Sequence, residues 1–315
     1  MFQIASFYQF FRVKAPNALK SSFELLCRDV HVKGTLLIAS EGINGTITGS
    51  EQGVQAILAY ARSLTDSENF SCITSWAQNP PLSRMKVRLK REIVTMGRTD
   101  VDPTSRVGTY LSPQEWNSVV LDPDVTVIDT RNHYEVAVGR FRRAVDPKTD
   151  KFRDFPQWWA NNQKQYRRQK IAMYCTGGIR CEKATSFLLG QGVTEVYHLR
   201  GGILRYLQEM KKSRSLWDGS CFVFDRRVSV EHGLVAGRHV VCGGCRHPIS
   251  PNEMHGPAFE MGVSCQNCFD KTTAEDKERF RERQKQIDLA LERSRNHRLI
   301  NFPAAELPRQ RANAV

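Results

Sequence analysis

Residues 171–182 read Ile-Ala-Met-Tyr-Cys-Thr-Gly-Gly-Ile-Arg-Cys-Glu, an apolar run that ends at a cysteine and leads into a helical pattern. The run predicts a buried strand, and Gly177 and Gly178 predict a tight turn into the helix. Cys175 then lies where backbone N–H groups converge at a helix N-terminus, and Arg180 adds a positive charge nearby. Both effects favour the thiolate over the thiol. The stretch therefore predicts a strand–loop–helix unit that carries an activated nucleophile.

The short loop between Cys175 and Arg180 predicts a small anion cradle. The residues that would face a substrate there are Thr176, Gly177, Gly178 and Ile179. Such a cradle suits a sulfur atom better than a bulky phosphate, and it resembles the active-site loop of the rhodanese superfamily. The alternative is a buried structural cysteine, because cysteine often packs as a small apolar residue. Cys181, one helical turn further on, is either a resolving thiol or a packing residue.

A second apolar run, residues 125–129, ends at Asp129 and is followed by Arg131, while Ser112 upstream marks a helix start. Strands alternate with helices across this region, which predicts right-handed crossovers and a parallel sheet. In such sheets, active sites form outside the carboxyl ends of the strands, where Asp129 and Cys175 both fall. Asp129 and Arg131 either organise the site through a salt bridge or serve only as a structural brace.

The first 96 residues read as a separate unit. The order of their strand and helix patterns, βαββαβ, predicts a ferredoxin-like α+β fold similar to acylphosphatase. The last strand pattern, residues 85–94, alternates apolar with basic residues. Its basic residues, Lys86, Arg88 and Lys90, form either an ordinary solvated face or a row that follows a phosphate backbone.

Two Cys-x-x-Cys pairs follow the central region, formed by Cys242, Cys245, Cys265 and Cys268. Paired knuckles of this spacing supply the four soft ligands that tetrahedral Zn²⁺ prefers, and a complete four-sulfur shell indicates a structural site. The alternatives are two reduced cysteine pairs or disulfides.

The predicted architecture is α/β with three modules. We predict a ferredoxin-like domain over residues 1–96, a linker over 97–108 and a rhodanese-like parallel-sheet domain over 109–217. A small Cys-rich zinc module is predicted over 218–271, followed by a charged helix and a loosely ordered tail over 272–315.

Charge and cysteine content indicate the compartment and the partner. The net charge of +13 and the pI near 9.5 predict an anionic partner, of which nucleic acid is the usual one. Nine cysteines, with no secretory signal and no apolar run long enough for a bilayer, predict a reducing cytoplasm.

Basic residues cluster in the central region, and those predicted to bind RNA are Arg140, Arg142, Arg143, Arg153, Arg167 and Arg168. Aromatic residues lie among them, namely Phe152, Phe155, Trp158, Trp159 and Tyr166. Basic charge with exposed rings is typical of surfaces that hold single-stranded RNA loops. The alternative is that the rings are core and the charges only solvate the surface.

The order of the three modules resembles that of the bacterial rhodanese-family tRNA uridine hydroxylases. The resemblance rests on residues 38–45, Ile-Ala-Ser-Glu-Gly-Ile-Asn-Gly, on the loop over 175–182 and on the Cys-rich end, and it covers about residues 1–270. It implies an oxidoreductase that converts uridine 34 of the tRNA anticodon stem-loop to 5-hydroxyuridine, with molecular oxygen as co-substrate. It also implies that Cys175 is essential. No nucleotide-cofactor motif accompanies these features.

Two other functions fit the residues alone. A rhodanese-type sulfurtransferase would carry a persulfide on Cys175. A non-catalytic RNA-binding protein would use the basic faces only, although it would not need the reactive pairing of Cys175 with Arg180.

Overall fold

The computed structural model describes residues 1–65, 70–166 and 169–292. The chain divides into two compact units. The first comprises Met1–Phe222 with Val230–Val235, and the second comprises Val223–Ser229 with the chain from Ala236 onward. No helix within the described residues has the length and apolar character needed to cross a membrane.

The first unit begins with a five-stranded sheet. Its elements are β1 (Phe2–Phe10), α1 (Pro16–Asp29), β2 (Lys33–Ala39), β3 (Gly42–Gly49), α2 (Glu51–Arg62), β4 (Ser71–Ala77) and β5 (Met85–Leu89). The strand order is β4-β1-β3-β2-β5, and only β2 and β5 run parallel. Both helices cover one face, where Phe23 and Ile57 are buried with Leu36 in a single apolar core. This arrangement confirms the ferredoxin-like prediction.

One strand assignment within this sheet was wrong. The sequence pattern assigns the closing strand to residues 85–94, but β4 closes the βαββαβ fold by pairing with β1. The predicted strand is instead β5, an extra edge strand that ends at Leu89. The residues of β4 escape detection because only Ile73 is buried in this edge strand, so no apolar–polar alternation marks it.

The central region forms a parallel sheet of order β6-β10-β9-β7. Its elements are β6 (Thr109–Leu111), α3 (Pro113–Leu121), β7 (Val125–Asp129), α4 (His133–Val136), β8 (Gly139–Phe141), α5 (Phe155–Tyr166), β9 (Lys170–Tyr174), α6 (Ile179–Gly190), β10 (Val196–Leu199), α7 (Gly202–Glu209), β11 (Trp217–Gly219) and β12 (Cys221–Phe222). Ser112 caps α3 in a capping box with Glu115, as its position predicts. Asp129 and Cys175 both lie at carboxyl ends of neighbouring strands.

A buried ion cluster joins the two sheets of the first unit. Lys183 of α6 is fully buried, and its Nζ lies 2.6 Å from the Glu92 carboxylate and 2.8 Å from that of Glu41. Both acids precede the parallel sheet in the chain. A buried ammonium is costly unless carboxylates and further acceptors surround it, and the carbonyl oxygen of Val94 supplies one more at 3.2 Å. After the first sheet, Met96 and Val101 pack into the core of the parallel sheet.

The remaining strands and helix are β13 (Ser229–Val230), β14 (Val240–Val241), β15 (Pro248–Ile249) and α8 (Ala274–Glu292). The core of the second unit is small. It consists of Val240 and Ile249 with three buried cysteines, and Met254 and Phe259 pack against it. So few apolar side chains do not normally hold a domain of this size without a metal or disulfides.

Candidate active site

The loop after β9 folds around the sulfur of Cys175. The N–H of Gly178 donates a hydrogen bond to Cys175 Sγ at 3.1 Å. Gly178 has φ of +103°, a conformation that L side chains rarely adopt, so glycine is required for this amide to face the sulfur. The Cys175 side chain is buried directly before the first turn of α6. The predicted strand–loop–helix unit is therefore confirmed.

The N-terminus of α7 holds the other side of this loop. Ile203 donates its N–H to the Cys175 carbonyl at 2.9 Å, and Leu204 donates to the Thr176 carbonyl at 3.0 Å. Gly202 allows this approach, because a Cβ at that position would lie 2.4 Å from the Cys175 carbonyl oxygen. With its carbonyls bound by α7, the loop directs its own N–H groups toward the sulfur.

The surroundings of Cys175 favour its thiolate. Burial raises the pKa of the thiol, but a hydrogen bond with Cys181, the charge of Arg180 and the N–H groups of Cys181 and Gly178 outweigh burial and lower the pKa to about 6. Burial and the neighbouring thiolate raise the pKa of Cys181 well above its usual range. The site thus pairs a thiolate with a thiol at neutral pH.

The positive charge of Arg180 favours the Cys175 thiolate, but Arg180 forms its ion pair with Glu135. Its two terminal nitrogens lie 2.8 and 2.7 Å from the carboxylate oxygens of Glu135. Although burial raises the pKa of Glu135, Arg180 lowers it below the ordinary value. Glu135 also caps the first turn of α4. No sequence pattern marks Glu135 as this partner, because an acid in a short helix after a strand is common on protein surfaces.

Asp129 and Arg131 form a fully buried ion pair, with Nη2 and Oδ2 2.6 Å apart. Arg131 also donates to the carbonyl oxygens of Glu135 and Gly139, at 3.1 and 2.6 Å. These contacts occupy both terminal nitrogens of the guanidinium and hold α4 and β8 against the end of β7. The geometry is that of a brace, which supports Glu135 and through it Arg180.

Glu182 has a buried carboxyl group beside the Cys175 loop, and no sequence pattern marks this residue. Tyr8 of β1 donates a hydrogen bond to it at 2.8 Å, and Tyr110 of β6 bonds to it as well. Burial raises the pKa of Glu182 to about 7, although both tyrosines act to lower it. Within the described residues it forms no ion pair. The first sheet therefore contributes Tyr8 to the wall of the Cys175 site.

Comparison with known proteins identifies the family. Residues 2–93 match the UPF0176 acylphosphatase like domain, and residues 112–209 match the rhodanese-like domain. A protein of Roseobacter denitrificans named tRNA uridine(34) hydroxylase is 53% identical over 94% of this chain and 100% of its own length. The chain belongs to the tRNA uridine(34) hydroxylase family.

Other members of this hydroxylase family are equally similar along the chain. The protein of that name from Ruegeria pomeroyi is 54% identical over 94% of this chain and 99% of its own length. The one from Caulobacter vibrioides is 50% identical over 91% of this chain and 93% of its own length. The similarity thus spans both units and includes the Cys-rich region.

The basic residues of β5 lie on the sheet face that carries Tyr8. Val87 faces the helices, so its neighbours Lys86 and Arg88 point to the opposite face. Arg88 is in register with Leu37, which pairs with Asn44, and Asn44 pairs with Tyr8. Three strand spacings, roughly 14 Å, therefore separate the Arg88 and Tyr8 positions. The exposed Lys90 follows directly after β5.

The other predicted RNA-binding residues are more dispersed. Arg140, Arg142, Arg143 and Arg153 are all exposed. Arg143 lies beside Val125 and Lys170, at the amino ends of the parallel strands, whereas Cys175 follows the carboxyl end. Arg167 and Arg168 lie outside the described residues.

Most aromatic residues near these charges belong to the core. Phe152, Phe155 and Trp159 are buried in the cluster that includes Cys175, so for these three the alternative holds that the rings belong to the core. Trp158 and Tyr166 are half-buried and stack on each other with ring centroids 5.9 Å apart. The helical spacing of α5 places the buried rings on its inner side, which basic neighbours in the sequence do not reveal.

The four cysteines of the second unit converge, as predicted. The sulfurs of Cys242 and Cys268 lie 3.7 Å apart, those of Cys245 and Cys265 lie 3.6 Å apart, and all four lie within 4.8 Å of one another. These separations are too long for disulfides. A tetrahedron with zinc–sulfur bonds of about 2.3 Å places its sulfurs about 3.8 Å apart, so the cluster fits a metal ion of that kind.

The helix α8 closes over this cluster. Arg283 donates to the carbonyl oxygens of Gly243 and Gly262, at 2.7 and 2.9 Å, within the loops that carry the cysteines. The charged helix predicted from residue 272 onward thus forms, from Ala274, and braces the knuckles. The tail predicted beyond it lies outside the described residues.

Proposed function

We propose that this protein hydroxylates uridine 34 of tRNA to 5-hydroxyuridine, with molecular oxygen as co-substrate. The observation that carries the proposal is the thiolate of Cys175 in its amide-lined loop, in a chain that is 50% to 53% identical, over 91% to 94% of its length, to proteins named tRNA uridine(34) hydroxylase. It would act in the cytoplasm as an oxidoreductase. The intact thiolate site argues against a purely RNA-binding role.

Each residue of the site has a role in this proposal. Cys175 adds through Sγ to C6 of the uracil ring, and the C5–C6 electron pair moves toward C5, where oxygen reacts. Thr176, Gly177 and Ile179 are half-buried and form the side of the loop across which the base approaches. Arg180, held by Glu135, supplies positive charge beside the sulfur, and Asp129 with Arg131 positions that pair.

A tRNA anticodon stem-loop is the proposed partner, and the face carrying Lys86 and Arg88 is the proposed path of its backbone. Burial and the charges of Arg84 and Arg88 lower the pKa of Lys86. Bound phosphates would offset the repulsion between these positive charges. This basic row lies on the sheet face that carries Tyr8, whose hydroxyl bonds to Glu182 beside the Cys175 loop.

Replacing Lys86 and Arg88 together by glutamine should weaken tRNA binding and reduce its salt dependence. Two lost contacts to a single-stranded loop lower the slope of log K against log salt by about 1.4. Filter binding or anisotropy across a salt series measures this. The control removes Lys20 and Arg28 of α1, on the opposite side of the sheet. Equal losses for both double variants would contradict the proposed path.

We further propose that the four cysteines hold structural zinc. Cys242, Cys245, Cys265 and Cys268 complete a four-sulfur shell, which leaves no open position for substrate. The module boundaries predicted from the sequence, at residues 96, 108, 217 and 271, remain our proposal for the domain limits.

The activity is tested by expressing this chain in a bacterium whose tRNA lacks 5-hydroxyuridine because its own hydroxylase genes are deleted. Mass spectrometry of tRNA nucleosides should then detect 5-hydroxyuridine, and fragment analysis should place it at position 34. Growth without oxygen should prevent its formation. Soluble expression with no modification in air would overturn the proposal. Thiosulfate treatment that adds one sulfur to Cys175 without any hydroxylation would favour the sulfurtransferase.

A further inference from the structure

We propose that Cys181 is the reductant of the reaction, supplying two electrons with Cys175 as the two residues close into a disulfide. The inference rests on the proposed hydroxylation and names the source of electrons that this reaction requires. It arises from the position of the second thiol and from the balance of the chemistry.

Cys181 lies in the first turn of α6 and faces the nucleophile. Its N–H donates to the Gly178 carbonyl at 2.9 Å, and its sulfur lies 3.5 Å from the Thr130 hydroxyl oxygen. The two thiols are joined by a hydrogen bond, and Cys181 is the more deeply buried of the two, at 0% exposed against 1% for Cys175. A thiol that served only to fill space would not need to bond to the catalytic sulfur.

The stoichiometry requires a two-electron donor. Hydroxylation with molecular oxygen places one oxygen atom on C5 and reduces the other to water, so two electrons must come from outside the pyrimidine. Two thiols supply them: uridine, oxygen and two Cys–SH groups give 5-hydroxyuridine, water and one disulfide. Thiol–disulfide chemistry outside the site then restores the pair, as for other catalytic disulfides.

The bonds can be followed through each step. Cys175 Sγ bonds to C6, and the ring electron pair at C5 attacks oxygen to form a hydroperoxide. Loss of water leaves a C5 carbonyl with sulfur still on C6. The Cys181 sulfur then attacks Cys175 Sγ, the C6–S bond breaks, and its electron pair enters the ring as the 5-olate. The Cys181 proton completes 5-hydroxyuridine.

The environment assigns different roles to the two sulfurs. Cys175 receives the N–H groups of the loop and the charge of Arg180, so it is the thiolate that attacks the base. Cys181 remains a thiol beside it, and becomes the attacking sulfur only after the first thiolate has been consumed in a C–S bond. This order prevents both sulfurs from competing for the same carbon.

Serine at position 181 separates this role from packing. Cys181→Ser keeps a hydrogen-bond donor of similar size, but it cannot form a disulfide. We expect at least a 20-fold loss of 5-hydroxyuridine in the complemented strain, while iodoacetamide alkylation of Cys175 keeps its half-maximal rate near pH 6 and stays within threefold of wild type. Cys72→Ser, whose thiol packs against the helix-side core of the first sheet, is the control. Wild-type hydroxylation by Cys181→Ser would overturn the inference.

The thiol state provides a second, independent measurement. Wild-type protein, mixed once with an excess of tRNA in air without reductant and quenched in acid, should contain the Cys175–Cys181 disulfide in proportion to the 5-hydroxyuridine formed, up to one per chain. Several products per chain without reductant, or product without disulfide, would overturn the inference. If the wild-type protein makes no 5-hydroxyuridine in the complemented strain, the hydroxylase proposal itself fails instead.

Discussion

Replacing Cys175 by serine should remove 5-hydroxyuridine from tRNA, with a loss of at least about 100-fold in the complemented strain. A serine hydroxyl remains protonated where the Cys175 thiol is largely ionised, and the thiolate is the nucleophile in cysteine chemistry. The loop should stay folded, because Gly178 and α7 hold its backbone without the sulfur. Nucleoside mass spectrometry of total tRNA measures the loss.

The matched control for this variant is Cys72→Ser, which changes a half-buried thiol of the first sheet. It should leave the modification at the wild-type level. Binding of tRNA by Cys175→Ser should stay within twofold, because the sulfur acts on one base and the charged face supplies most of the affinity. A Cys175→Ser protein that modifies tRNA normally would show that the thiolate is not the catalyst.

Removing zinc should unfold the second unit. Structural zinc contributes about 10–16 kcal/mol of apparent free energy in small zinc-dependent domains, and few apolar side chains replace it here. Purified protein should contain one zinc ion per chain. Cys265→Ser should bind less than a tenth of that, and limited proteolysis should then cleave within residues 236–292 at least about tenfold faster.

Two controls test whether the faster cleavage comes from loss of the metal. Cys72→Ser should retain full zinc content and wild-type protease resistance. The first unit has its own cores, so its fragment should remain resistant after zinc loss. Metal-free protein that keeps the same proteolysis pattern in both units would show that the four thiols fold without an ion.

Local sequence patterns predicted those elements that are defined by residues close together in the chain. The strand–loop–helix unit around Cys175 depends on an apolar run, two glycines and a helix start, all within twelve residues. The capping box at Ser112 and the two Cys-x-x-Cys pairs could be predicted for the same reason, because each is defined by residue spacing along the chain.

Contacts between distant segments could not be read from the sequence. Glu135 meets Arg180 across 45 residues, and Tyr8 meets Glu182 across 174 residues. Neither pair leaves a periodic signal, because each depends on how two sheets pack. The same reason explains why the sequence alone left open which rings of α5 belong to the core, whereas the packing of the helix buries Trp159.

The buried ammonium of Lys183 links the two sheets of the first unit, so the chain cannot be cut between them without cost. Cutting the polypeptide after residue 96 and separating the pieces would remove Glu41 and Glu92 from the half that contains Cys175. The buried ammonium of Lys183 would then have lost both of its carboxylate partners. Separating the two sheets should therefore destabilise the half that contains Lys183. A rhodanese-like domain without the first sheet would need an uncharged residue at position 183 to avoid this cost.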